Sequence, residues 1–129
     1  MYAQSVILSC SPEEAIERLT TALKERKMGI VSDIDVQATM KAKLDLDMPF
    51  YRILGACAPG LAKRVIDAEP EAGTLLPCNV VVRDAGDGRT AVHFLDPEAA
   101  LSLSDNADVR AVAREAKQLL EQVRQALQD

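Results

Sequence analysis

Residues 53–82 read Ile-Leu-Gly-Ala-Cys-Ala-Pro-Gly-Leu-Ala-Lys-Arg-Val-Ile-Asp-Ala-Glu-Pro-Glu-Ala-Gly-Thr-Leu-Leu-Pro-Cys-Asn-Val-Val-Val. Two short apolar runs, each with a cysteine and a proline at its edge, bracket one helix-sized segment, which is the pattern of strand, crossover helix and strand. Cys57 falls where the first strand ends and Cys78 where the second begins. If the two strands are antiparallel in one sheet, both thiols stand at the same end of it.

Outward from this stretch, Phe50 to Ala56 places Tyr51, Ile53, Gly55 and Cys57 on one strand face and Phe50, Arg52 and Leu54 on the other. Pro59 suits the first position of the helix, Leu61, Ala62, Val65 and Ile66 give it an apolar face, and Glu69-Pro70 ends it. Asn79–Asp84 and Arg89–Leu95 are joined by Ala85-Gly-Asp-Gly88, a hairpin signal because its glycines tolerate positive φ. A four-residue loop or a two-residue turn sets His93 on the face of Val80 and Cys78, whereas a three- or five-residue loop reverses it. On the first register Val80, Val82, Ala91 and Leu95 suit the buried side, and Val81, Val92 and Phe94 make the opposite side apolar too.

Val6, Ile7 and Leu8 form a short run suited to a strand buried on both faces, closed by Cys10. Ser11-Pro12-Glu13-Glu14 carries an N-cap, a proline at the first helical position and a capping-box glutamate. Ala15, Ile16, Leu19, Ala22 and Leu23 recur at helical spacing, and Gly29 is placed to supply the left-handed stop. Residues 30–36 read as a strand with Ile30, Ile34 and Val36 on one face and Asp33 and Asp35 on a solvated one. Val36, Met40 and Leu44 suggest a turn or two of helix beyond it. Asp96-Pro97 ends the last strand, and an acidic connector with one helical turn through Leu101 follows. Ser104, Asp105 and Asn106 supply caps, and Val109, Val112, Ala113, Ala116, Leu119, Leu120, Val123 and Leu127 trace one stripe along the longest helix. The expected fold is α+β in two layers, strand-helix-four strands-helix, with an antiparallel sheet packed against helices on one face and residues 1–129 forming one domain.

A chain of 129 residues can bury roughly two thirds of its unfolded surface without a disulfide or metal staple. A formal charge of −5, with no Lys/Arg cluster or aromatic platform, disfavours nucleic acid. No apolar run approaches the ~20 residues of a membrane span. The start, Met-Tyr-Ala-Gln-Ser-Val-Ile-Leu, lacks the basic region and long apolar core of a signal peptide, and three widely spaced cysteines suit a reducing cytoplasm.

Read together, Gly55-Ala-Cys57-Ala-Pro59, Leu61-Ala62, the Glu69-Pro70 turn and Leu75-Leu-Pro77-Cys78-Asn79-Val-Val-Val82 resemble the domain-of-unknown-function 302 family over nearly the whole chain. The resemblance implies a TATA-binding-protein-like α+β fold of one strand, one helix, four strands and a helix, with no function carried across. The family commonly has Asn where this chain has Ala58, which removes a side chain suited to capping the short helix.

The candidate site comprises Cys57, Pro59, Pro77, Cys78, Asn79 and His93. Cys57, ahead of a helix N-terminus, is expected to have a lowered pKa, with Cys78 as resolving thiol or second soft ligand. Two small buried core cysteines are the preferred reading, since free Cys is among the most buried residue types. Cys57, Cys78 and His93 are the only metal set to consider, and their spacing matches no familiar zinc pattern. No cofactor is expected, and a soft metal such as copper or zinc is the one considered. The leading expectation is a non-enzymatic module that binds a small molecule or protein in a cleft near Cys57 and Cys78. The alternative is thiol-based redox, sulfur or soft-metal handling. The apolar second face of the hairpin calls for a cover, either the 97–106 loop, a ligand or a partner, and a homodimer is the expected form.

Overall fold

A computed structural model describes residues 1–128. Five strands, β1 (Ala3–Leu8), β2 (Gly29–Asp35), β3 (Tyr51–Cys57), β4 (Cys78–Gly86) and β5 (Arg89–Leu95), form one sheet in the order β1-β5-β4-β3-β2. Every neighbouring pair is antiparallel. Helix α1 (Pro12–Lys24) follows β1, α2 (Val36–Leu44) links β2 to β3, and α3 (Pro59–Ala68) with a 3₁₀ turn (Pro70–Leu75) links β3 to β4. After β5 come a short α4 (Pro97–Leu101) and the 21-residue α5 (Ala107–Leu127). This is the expected α+β arrangement, with an antiparallel sheet carrying helices on one face.

The helix starts follow from local chemistry. Ser11 Oγ accepts from the Glu14 N–H, and Asn106 Oδ1 accepts from the N–H groups of Asp108 and Val109, so each helix has an early orphan donor satisfied. The stop of α1 differs from expectation. Lys27, at φ 58°, takes the left-handed position, and Met28 N–H bonds to Leu23 C=O while Lys27 N–H bonds to Lys24 C=O. This is a Schellman motif, sealed by the buried pair Leu23 and Met28. Gly29 instead begins β2.

Two hydrophobic clusters share α5. Its second half sends Leu120, Val123 and Leu127 against α1 and the sheet residues Val6, Leu8, Leu54, Val80, Val82, Val92 and Phe94. Its first half sends Val109, Val112 and Ala113 against Val65 of α3, Ala72 and Leu101. The connector after β5 therefore folds into the helix layer as α4 and leaves the opposite sheet face uncovered.

Two bulges overturn the face assignments expected of the strands. In the β4–β5 hairpin Asp84 pairs with Thr90 but Gly86 pairs with Arg89, leaving Ala85 as an extra residue beside the Asp87-Gly88 turn. Gly86, Asp87 and Gly88 all have positive φ, which is what the turn and bulge require. The slip pairs Val80 with Phe94 and Val81 with His93, so Val80, Val82, Val92 and Phe94 face the helices together. Ala91, His93 and Leu95 stand with Val81 on the other face, opposite to the expected register. A second irregularity between Ile30 and Ser32 does the same to β2, so that Ile34 is 53% exposed beside Ile53 rather than sharing a buried face with Ile30. β1 is an edge strand and buries Val6 and Leu8 only, with Ile7 40% exposed.

Gly55 is required by close approach rather than by φ. A Cβ there would stand 2.6 Å from Pro77 Cγ and would also strike Ser32 Oγ. The serine can rotate, but the proline ring cannot. Gly55→Ala is expected to cost about 1–3 kcal/mol in urea denaturation, and Ser32→Ala in the same chain should recover only part of the loss.

Candidate functional site

The sheet end that carries both cysteines opens into a cleft of about 270 Å³. It lies at the seam between the two hydrophobic clusters. Met28, Ala56 and Cys78 come from the sheet-side cluster, Val65, Leu101 and Val112 come from the other, and Ala116 of α5 stands between them. The seam stays open because the side chains meeting there are short: Ala56, Ala58, Ala62, Gly73 and Ala116 all line it. No charged side chain does.

Cys57 is half-buried and Cys78 is buried, and both line this cleft with Pro77. Cys78 stands at the start of β4 opposite Ala56, one residue before Cys57, so the two thiols do share one end of the sheet. Pro59 opens α3. Ala58 is its N-cap and makes no side-chain capping bond, since an alanine carries no acceptor. The expected lowering of the Cys57 pKa is overturned. Burial pushes the Cys57 thiol up from its ordinary value. It pushes Cys78 up to about 11, with the nearby Cys57 adding to the rise. With loss of solvation as the cause of both rises, both groups are neutral thiols at pH 7.

Asn79 and His93 do not join them. Strand alternation turns Asn79 away from Cys78, and the Ala85 bulge turns His93 to the same outer face, where both line a different cavity. The Cys57–Cys78–His93 metal set is therefore not assembled. Among the described residues no three His, Cys, Asp or Glu side chains gather as a metal-ligand group. Asp33 and Asp35 pair with Arg52, whose guanidinium also lies 5.3 Å from the centre of the Phe50 ring.

His93 has its own constellation. Ser5 Oγ lies 2.6 Å from Nδ1, and Arg83 Nε–H donates to Nε2 at 3.0 Å. Since the guanidinium can only donate, Nε2 must accept, and the imidazole proton resides on Nδ1, where it donates to Ser5 Oγ. Burial, followed by the Arg83 charge, lowers the His93 pKa. Ser5 and Arg83 are absent from the sequence-derived site. The signal that could have found them was the glycine-rich hairpin, because its bulge sets which residues flank His93.

Over residues 4–127 the chain matches the family model described as Domain of unknown function DUF302. The chain belongs to this family. A solved member, the crystal structure of an uncharacterized conserved protein DUF302 from Bacillus stearothermophilus, superposes with a TM-score of 0.89 at 26% identity, covering 99% of each chain. A stretch of 56 residues is also 38% identical to part of the glycogen debranching enzyme of Escherichia fergusonii, spanning 43% of this chain and 8% of that enzyme. So short a share of the enzyme brings no activity with it. DUF302 membership establishes the fold and names no reaction. No helix among the described residues is long and apolar enough to cross a membrane.

Two solution measurements check this chemistry. Cys57 should alkylate slowly at neutral pH and faster only as the pH passes its raised pKa, while Cys78 should stay protected until urea unfolds the chain; mass spectrometry of iodoacetamide-treated protein reads both. For His93, a folded pKa below the ordinary 6.5 means that the unfolded chain binds more protons between the two values. Stability must therefore fall as the pH drops through that window. His93→Gln should flatten the part of the decline in urea midpoint that sets in as the pH falls below about 6.5.

Proposed function

We propose that this DUF302 domain is a non-enzymatic binding module whose ligand is a small apolar molecule held in the Cys57/Cys78 cleft. The observation that carries this reading is the lining: a preformed hollow between two packed clusters, walled by aliphatic side chains and two neutral thiols, with no charged group. Its volume of about 270 Å³ lies near the lower end of small-molecule sites. Such a wall offers shape and dispersion contacts but little that could polarise a bond, which supports binding over catalysis. Each thiol is a weak donor and a soft contact for a polarisable ligand.

A second reading, thiol or soft-metal handling, draws support from one observation, that both sulfurs line the same hollow. The raised pKa values work against it, because a thiolate must form before it attacks or ligates.

The two readings separate in one titration. The neutral apolar probe naphthalene, followed by methyl NMR, should shift the signals of Leu61, Val65, Leu76 and Val112 saturably. Ala62→Trp, which places an indole in the cleft, should abolish those shifts with the fold retained. Cys57→Ser and Cys78→Ala should preserve binding within about threefold if the cleft acts by shape and dispersion. Unchanged methyl signals at saturating probe would overturn the apolar-ligand reading. Copper(I) uptake that needs both sulfurs would favour the second.

A further inference from the structure

The uncovered face of the sheet holds a separate cavity of about 400 Å³, on the side away from the cysteine cleft. Val81 and Leu95 floor it, Tyr51 and Tyr2 stand at its sides, and Asn79, Ser5 and His93 bring polar atoms to it. Arg83 does not itself line the cavity but stands beside two residues that do. It is the cross-strand partner of Tyr51, and its Nε–H is bonded to the imidazole that lines the cavity.

That single bond fixes the guanidinium without neutralising it. Histidine Nε2 is an uncharged acceptor, and its proton is held on the far side of the ring by Ser5. Among the described residues no carboxylate pairs with Arg83, although Arg52, Arg64, Arg110 and Arg124 each have one. The Tyr51 hydroxyl and the Asn79 amide likewise have no protein partner among the described residues. A half-buried cation held in a set orientation, with its terminal amines unspent and two neutral polar groups beside an apolar floor, has the form of a small-molecule site that lacks its anion.

The geometry points to this outer cavity as a binding site for a small organic monoanion, a carboxylate on an apolar or aromatic body. The planar fork of arginine matches a carboxylate, the tyrosines and aliphatic floor match the body, and Asn79 supplies a further donor. Among the described residues Arg83 is the one charged side chain beside the site and the chain carries a net −5, so a singly charged ligand suits the site better than a polyanion. This site is independent of the cysteine cleft, so either can fail without the other.

The test titrates benzoate, benzamide and inorganic phosphate into the full chain, followed by amide NMR. Benzoate should shift Tyr51, Val81 and His93 saturably and leave Leu61 and Val65 unmoved. Benzamide, which keeps the ring and removes the charge, should bind at least about tenfold more weakly, and phosphate should not compete. Arg83→Gln should reduce benzoate affinity by a similar factor, with Arg83→Lys retaining part of it. Equal binding of benzoate and benzamide overturns the proposal on the unmodified chain, whatever the variants do. So does displacement by phosphate at lower concentration than benzoate. Sedimentation showing a dimer that buries Tyr51 and His93, with no benzoate shift, would assign the face to a second copy and overturn it as well.

Discussion

The stripe along α5 is the constraint on which the rest of the structure depends. Seven buried residues on one side of a 21-residue helix serve two different partners, the sheet with α1 at one end and α3 with α4 at the other. One rigid rod thereby fixes the distance between two clusters that the chain also joins from β3 to α3, from the 3₁₀ turn to β4 and from β5 to α4. Where the rod passes from one to the other it presents Ala116, too short to reach across. The hollow at the cysteines is the consequence. Both clusters are packed, and the seam between them is not, because closing it would require longer side chains at Ala56, Ala62 and Ala116. The hollow is built into the choice of residues and does not depend on a mobile loop.

A second constraint, the parity of β5, decides what each face of the sheet can do. With one extra residue at Ala85, Val92 and Phe94 enter the core and His93 leaves it. Without that residue the imidazole would meet the helix layer, where a histidine would need a buried partner, and Phe94 would be stranded on the open face. The slip brings His93, and with it Ser5 of β1, to the face that already carries Arg83 and Tyr51. The polar chemistry has been sorted to the face that water reaches, where leaving a guanidinium without a carboxylate carries little desolvation penalty.

Those two constraints differ in how openly the sequence displays them. The stripe of α5, the caps at Ser11 and Asn106, the strands flanking residues 53–82 and the shared sheet end of Cys57 and Cys78 were legible, because each depends on periodicity or on residues a few positions apart. The β5 parity was not. Ala-Gly-Asp-Gly admits loops of several lengths, and one residue of difference exchanges the two faces of every position beyond it. The same holds at Val31 in β2, where a bulge without a glycine to mark it exposes Ile34. The stop of α1 escaped for a related reason: lysine paid the left-handed strain at residue 27 two positions ahead of the glycine that advertised it. Cys57 was placed correctly and its acidity was not, since burial is a property of the seam, and the seam is closed around Cys57 by Met28, Leu101, Val112 and Ala116 as well as by the neighbouring α3.

Gly55 connects these arguments, because the approach of Pro77 over it sets how far β4 can advance before it pairs with β3. Cys78 follows that proline directly. Its position opposite Ala56, and thus the sulfur's presence in the hollow, therefore depends on a glycine two residues before Cys57. A side chain at residue 55 would push the Pro77 ring outward, carry the start of β4 with it, and change the shape of the cleft and the register of Asn79 on the opposite face together. The two cavities share no lining residue, yet both are held in place by the same backbone contact. Loss of that contact should disturb them jointly, while side-chain changes within either one leave the other as it was.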